Sequence, residues 1–353
     1  MKTKVVKVDP LRPDHGVIAE AAEVLRNGGL VAFPTETVYG LGADAYNANA
    51  VRRIFAVKER PPDNPLILHI GDPGDLDLVA KDVPQIAYEV VGKVWPGPVT
   101  LVLKRNETVP PEVTAGLPTV AVRCPAHPTA LSLIKTLGNP IAAPSANLSG
   151  RPSPTSARHV IKDMSGRVEL IIDGGDTFLG VESTILNLMS DPPTLLRPGP
   201  VGVNVLERLM GVRVIVPSFA KGIMEAEKAL SPGLKYRHYS PETPLTLADL
   251  GQCYDTDSYV GCVKAVVEEY LRAGLKVIVI CSSETCRHYA GVTTLELGSR
   301  QNLYEVARNL FKTLREVDEV SADIAVVEGF EERGIGLAIM NRLRKASSRV
   351  LSC

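Results

Sequence analysis

The chain predicts an α/β protein built from two unequal units, and three observations carry that prediction. Short β-branched runs alternate with amphipathic helical stretches along most of its length. Several neighbouring strands have no helix between them, which makes the first sheet mixed rather than purely parallel. A Pro-, Ser- and charge-bearing stretch of weak periodicity, 216–244, breaks the pattern and reads as a linker. The predicted boundaries are therefore 1–215 for the first unit, 216–244 for the linker and 245–353 for the second unit.

Taken in order, VIAEAAEVLRN (17–27) repeats apolar positions at helical spacing and stops at Gly28 and Gly29, a glycine-capped helix. LVAF (30–33) is a short buried strand closed by Pro34. Similar strands recur at 65–70, 99–104, 119–123, 140–143, 168–173, 183–188 and 193–196, with helical patterns around 49–58, 84–94, 127–137, 155–163 and 203–210. The second unit shows a helical pattern near 260–272, a strand at 276–281, a helix at 302–320, a strand at 323–329 and a last helix at 336–347. That alternation predicts a smaller three-layer α/β domain.

Composition excludes more than it assigns. Hydrophobic residues make up 45% and charged residues 22%, the balance of a folded globular protein rather than a disordered one. With 39 basic against 40 acidic side chains there is no global attraction to nucleic acid or membrane, so any anion site must come from local clustering. No secretory signal opens the sequence and no run of about eighteen apolar residues occurs, so a cytoplasmic location without a membrane partner is expected. The six cysteines show no Cys-x-x-Cys and are expected to pack as small hydrophobes with neither metal nor redox role, Cys281 and Cys286 being the pair to inspect.

The stretch FPTETVYGLGADA (33–45) imitates a dinucleotide fingerprint, but a Rossmann loop needs its strand to run straight into the first glycine. Here PTETVY intervenes, so Gly40 and Gly42 read as turn glycines, with the hydroxyls of Thr35 and Thr37 left at a strand exit. KERPPDNPLILHI (58–70) presents Lys58, Arg60 and Asn64 on a proline-stiffened loop beside a strand carrying His69, donors suited to a phosphate chain. Lys58 and Arg60 also suit a helix C-terminus, and His69 equally suits a satisfied core position. In TVAVR (119–123) alternation puts Thr119 and Arg123 on one face, and a buried arginine there calls for a carboxylate ligand or a buried partner acid. PIAAPSANLSGRPSPT (140–155) offers Ser145, Asn147 and Ser153, while Ser183 starts one strand and Arg197 leaves another. No Walker loop, zinc-protease motif or nucleophile elbow occurs, so positioning and charge neutralisation must carry any chemistry.

These blocks, together with WPGPVTLVLK, GVESTILNL and LLRPGP, resemble in order and spacing the YrdC-like catalytic domain of threonylcarbamoyl-AMP synthases over about residues 15–215. SPGLKYRHYSP (231–241) and the closing ERGIGLAIMNRLRKAS are similar to the linker and C-terminal domain of that family's two-domain members. The resemblance implies a strongly twisted mixed β-sheet with flanking helices and a concave positive face. It implies a reaction in which L-threonine, bicarbonate or carbon dioxide, and ATP yield L-threonylcarbamoyladenylate and pyrophosphate, feeding the modification of the adenosine beside the tRNA anticodon. By motif, Thr35, His69, Arg123 and Ser183 would hold threonine, Arg123 pairing its carboxylate, with backbone around Ala143 contributing. Lys58, Arg60, Asn64, Thr119, Ser145, Asn147, Ser153 and Arg197 would surround ATP, and Lys58 and Arg60 would be catalytic. Tyr236 and His238 would belong to a segment covering the nucleotide. Mg²⁺ is expected with ATP, its ligands unassigned, and the tRNA threonylcarbamoyl-transfer machinery is the expected downstream partner, with tRNA a further candidate contact. The alternatives are a double-stranded RNA or tRNA-binding module and another carbamoyl- or nucleotidyl-transferring enzyme on the same fold.

Overall fold

The computed structural model describes residues 1–225, 231, 238–251 and 255–353. Its first unit carries ten strands: β1 (Lys4–Lys7), β2 (Val31–Phe33), β3 (Gly40–Asp44), β4 (Ile67–His69), β5 (Val99–Lys104), β6 (Thr119–Arg123), β7 (Ile141–Ala143), β8 (Leu170–Asp173), β9 (Thr184–Asn187) and β10 (Thr194–Arg197). Its helices are α1 (His15–Arg26), α2 (Ala48–Lys58), α3 (Leu76–Val79), α4 (Gln85–Val94), α5 (Pro111–Thr114), α6 (Pro128–Leu137), α7 (Ala157–Met164) and α8 (Val203–Met210). The strands form one sheet in the order β1-β8-β2-β3-β7-β4-β6-β5-β9-β10. Parallel pairs such as β4 with β6 and antiparallel pairs such as β5 with β6 occur side by side, so the sheet is mixed, as predicted.

The second unit contains β11 (Leu245–Asp249), α9 (Thr256–Arg272), β12 (Val277–Cys281), β13 (Thr293–Glu296), α10 (Leu303–Val317), β14 (Ile324–Glu328), α11 (Gly336–Ala346) and β15 (Arg349–Ser352). Its strands, ordered β13-β12-β14-β11-β15, are all parallel. Period-two alternation divides them between two cores. Val277, Val279 and Val326 meet Val260, Val263 and Val267 of α9, whereas Ile278, Ile280 and Val327 meet Leu310 of α10 and Ile339 of α11. This is the expected three-layer arrangement. The face bearing α10 and α11 is turned to the first unit, whose Val38 and Val181 join its core.

Two sequence expectations are corrected. GLGAD is a strand, not a turn with left-handed glycines. A Cβ on Gly42 would stand 2.7 Å from Cγ2 of Ile141 and 2.8 Å from Cε1 of Phe33, so glycine is needed there for close packing. The cysteines are not all free thiols: Cys262 is bonded to Cys353 and Cys281 to Cys286, leaving Cys124 free and buried. Parallel strands bring α9 beside the end of β15, a proximity that sequence spacing does not reveal. Cys253 lies outside the described residues. No helix among the described residues is long and apolar enough to cross a membrane.

Candidate active site

The site is assembled where β4, β6 and β7 lie side by side. Their register sets Ile67 beside Ala121 and Ala143, and His69 beside Arg123. Side chains two apart share a face, so His69 and Arg123 project with Ile67 and Ala143 into one cavity. That cavity encloses about 710 Å³, open solvent at its mouth included. Thr35, Lys58, Arg60, His69, Arg123, Ala143, Ser145, Asn147, Ser153, Ser183 and Arg197 all line it. The structure therefore brings together residues that the chain scatters across more than 160 positions.

Lys58 is delivered by the way α2 ends. Asn47 caps its N-terminus by accepting from the Ala50 amide, and Glu59 closes it in the left-handed region at φ 54, before Arg60 and two prolines prevent continuation. The Lys58 side chain is buried and its Nζ donates to the carbonyls of Ser145, at 2.5 Å, and Asn147. Burial, helped by the neighbouring Arg60 charge, pushes its pKa well below the usual lysine range. Arg60 donates from Nε to the Asn64 carbonyl at 3.1 Å and from Nη2 to the Pro65 carbonyl at 3.0 Å, which folds its loop back on itself. The facing loop is self-bonded as well: Ser145 Oγ donates to Asn147 Oδ1 at 2.5 Å, and Asn147 Nδ2 donates to the carbonyls of Leu148 and Arg151.

Arg123 has the buried partner acid that its position demanded. Its Nη2 lies 2.7 Å from Glu36 Oε1, and its Nη1 donates to Thr37 Oγ1 at 3.0 Å. The contact with Glu36 lacks hydrogen-bond geometry. Both carboxylate oxygens of Glu36, Nη2 of Arg123, Nδ1 of His69 and both amide atoms of Asn64 are buried without a hydrogen-bond partner. Orphaned groups of this kind are costly unless a ligand or water completes them. Burial, then the Arg123 charge, lowers the His69 pKa to about 3, so the ring is neutral near pH 7.

At the far end, Arg197 donates from Nε to the Ser183 carbonyl and from Nη2 to Ser183 Oγ, both at 3.1 Å, while Ser183 Oγ also meets Thr100 Oγ1 at 2.7 Å. Glu182, Arg151, His238 and Tyr239 help to complete the lining, and sequence reasoning assigned the first, second and fourth of them no role. Tyr239 is buried at φ 67, a left-handed conformation uncommon for a large side chain, and its ring lies 5.2 Å from that of Phe311. The HY pair in RHYSP was the available signal.

Three expected residues stand apart. Thr119 is not in the lining: it pairs with Lys104 at the start of β6, on the face of Arg123 and four residues from it. Asn64 is buried and is not among the lining residues. Tyr236 lies outside the described residues. No group of three or more His, Cys, Asp or Glu among the described residues could hold a metal ion, and the two acids of the site are engaged by Arg123 and Arg342.

A mixed α/β sheet whose cavity carries lysine and arginine side chains, short hydroxyls and a neutral histidine, with no activated nucleophile, defines a class of protein that handles a small anionic substrate by positioning and charge. The comparisons narrow that class. Residues 23–199 match the family model described as Telomere recombination, Sua5/YciO/YrdC, and residues 201–348 match the C-terminal domain of threonylcarbamoyl-AMP synthase. The chain belongs to this family, in its two-domain form. It is 48% identical to a threonylcarbamoyl-AMP synthase of Pyrococcus abyssi, covering 95% of each chain, and 44% identical to one of Bacillus subtilis, covering 98% of each. The crystal structure of P. abyssi Sua5 complexed with L-threonine superposes with a TM-score of 0.92 at 45% identity, over 99% of this chain and 100% of that one.

Proposed function

We propose that this chain is a nucleotidyl-transferring enzyme that makes L-threonylcarbamoyladenylate and pyrophosphate from L-threonine, bicarbonate or carbon dioxide, and ATP. The observation that carries the reading is the convergence on one cavity of cationic side chains with the unsatisfied Nη2 of Arg123 and Nδ1 of His69. An amino acid supplies a carboxylate for Arg123 Nη2 and a hydroxyl within reach of His69 and Thr35. A triphosphate supplies the anion that Lys58, Arg60 and Arg197 together favour. The threonine complex of the P. abyssi relative supports the amino-acid half.

In this mechanism the threonine amine, as the free base, adds to carbon dioxide and loses a proton to give an N-carboxylate. A carboxylate oxygen then attacks the α-phosphorus in line, the bond to the bridging oxygen breaks, and pyrophosphate leaves. Lys58 and Arg60 neutralise charge building on the phosphates, and Ser145, Asn147 and Ser153 orient the nucleotide. Mg²⁺ enters with ATP as part of the substrate, since magnesium commonly keeps its waters and binds through phosphates, and the described residues offer no carboxylate cage. The product would pass to machinery that modifies tRNA.

Incubation with α-labelled ATP, threonine and bicarbonate, omitting each in turn, tests the reading. Labelled adenylate and pyrophosphate should form only when all three are present. Pyrophosphate release independent of threonine would overturn it.

A further inference from the structure

The second unit reaches the cavity wall through Arg342. Arg342, from the middle of α11, is fully buried, and it donates from Nε and Nη2 to Oε2 of Glu182 at 3.1 and 2.9 Å. Its Nη1 donates to the carbonyl of Pro198 at 2.7 Å, the residue after Arg197. The other oxygen of Glu182 accepts from Ser153 Oγ at 2.6 Å. One carboxylate in the cavity wall is thus gripped by a hydroxyl assigned to the nucleotide and by an arginine from the other unit. A buried arginine and carboxylate held in this geometry are expensive to desolvate and are tolerated only when both are fully bonded.

The acid stands between two arginines. Burial opposes its charge, but Arg342 and then Arg197 more than compensate, and its pKa falls to about 2. Glu182 is therefore a fixed negative charge beside a cavity meant for an anion. Arg342 takes its Oε2 edge, while Arg197 spends Nε and Nη2 on Ser183 and leaves Nη1 without a hydrogen bond among the described residues. Remove Arg342, and the uncompensated carboxylate must draw on the cations that remain near it, Arg197 and Lys345.

We infer that Arg342 is a positioning residue for the nucleotide end of the cavity: by neutralising Glu182 and tethering Pro198, it keeps Arg197 available to the phosphates and Ser153 in place. This deepens the reading given above and rests on ATP binding there. It gives the second unit a part in the site itself. A second arginine holds the adjacent loop similarly, Arg315 donating from Nε and Nη2 to the Pro152 carbonyl and pairing with the buried Asp163 at 2.7 Å.

The test compares the wild-type chain with Arg342→Met, Arg342→Lys and the double variant Glu182→Gln with Arg342→Met, titrating ATP and threonine separately by calorimetry. Arg342→Met should weaken ATP binding about tenfold, the scale of coupling between contacting charged residues, while threonine affinity stays within about twofold. Arg342→Lys should fall between the two, because a point charge neutralises Glu182 but cannot hold it bidentately. The decisive arm is the double variant, in which a neutral glutamine needs no cation, so ATP affinity should return to within about threefold of wild type. A role confined to docking the units would give no such recovery. Unchanged ATP affinity in Arg342→Met, or equal loss in Arg342→Met and the double variant, would overturn the inference. If Arg342→Met is too unstable to titrate, Arg342→Lys and its own double variant with Glu182→Gln decide by the same comparison. A wild-type chain that binds ATP but releases no pyrophosphate would instead overturn the proposed reaction and leave this comparison standing.

Discussion

Glu182, His69 and His159 are three buried ionisable groups whose charge states are set by what surrounds them, and together they fix how the protein should respond to acid. Burial foremost lowers both histidines to about 3, and Arg342 with Arg197 holds Glu182 at about 2. In each case the unfolded chain takes up a proton before the folded one does. The contribution of these three groups is therefore full above about pH 6.5 and falls as pH drops, first through the histidine window from about 6.5 to 3, then through the Glu182 window from about 4.5 to 2. Each histidine should account for about 2 kcal/mol of loss by pH 5. Denaturant titrations at about pH 7.5 and 5 check this, and equal midpoints would contradict it. At this scale the sequence was most readable where a residue type was costly in its context. An arginine on a buried strand had to meet an acid or an anion, and Arg123 meets Glu36 while keeping Nη2 unsatisfied. Glu182 and Tyr239 were not legible, because their roles depend on Arg342 and Phe311, more than seventy residues further along the chain.

Among the elements, buried strands announced themselves and exposed edge strands did not. β5 (VTLVLK) and β12 (VIVIC) are almost wholly buried apolar runs and were expected. β1, β13 and β15 are edge strands with no buried residue, so no buried face marks them in the sequence. β3 was hidden by its glycines, which suggested a turn although the packing of Phe33 and Ile141 requires them. Two glycines separate these meanings experimentally. Gly42→Ala should destabilise by about 1–3 kcal/mol through overpacking. Gly261 lies inside α9, where an added Cβ would have no atom within 4 Å, and should gain about 0.5–1 kcal/mol on substitution by alanine. Thermal or denaturant melts of both variants check the opposite signs.

For the whole molecule, the linker of weak periodicity was legible as a boundary but not as a bridge, and the contact between the units was not legible at all. They meet backbone to backbone. Gly180, at φ +74, lies so close to α10 that a Cβ would stand 2.3 Å from Cα of Arg308, and a Cβ on Gly202 would stand 3.2 Å from Cα of Gly334. Val38 and Val181 of the first unit belong to the apolar core of the second. Gly180→Val combines an unfavourable φ with a collision between main chains and should cost about 3 kcal/mol of docking. Limited proteolysis should then cut the 216–244 stretch faster than in the wild type; an unchanged rate would mean that the contact yields without strain.

The same closeness bears on how such a protein can be rebuilt by recombination. Halves exchanged between relatives would meet along main-chain surfaces that no rotamer change can adjust, so a foreign second half must carry a helix groove matched to Gly180 and a cation matched to Glu182. Those features are inherited together or the hybrid is lost.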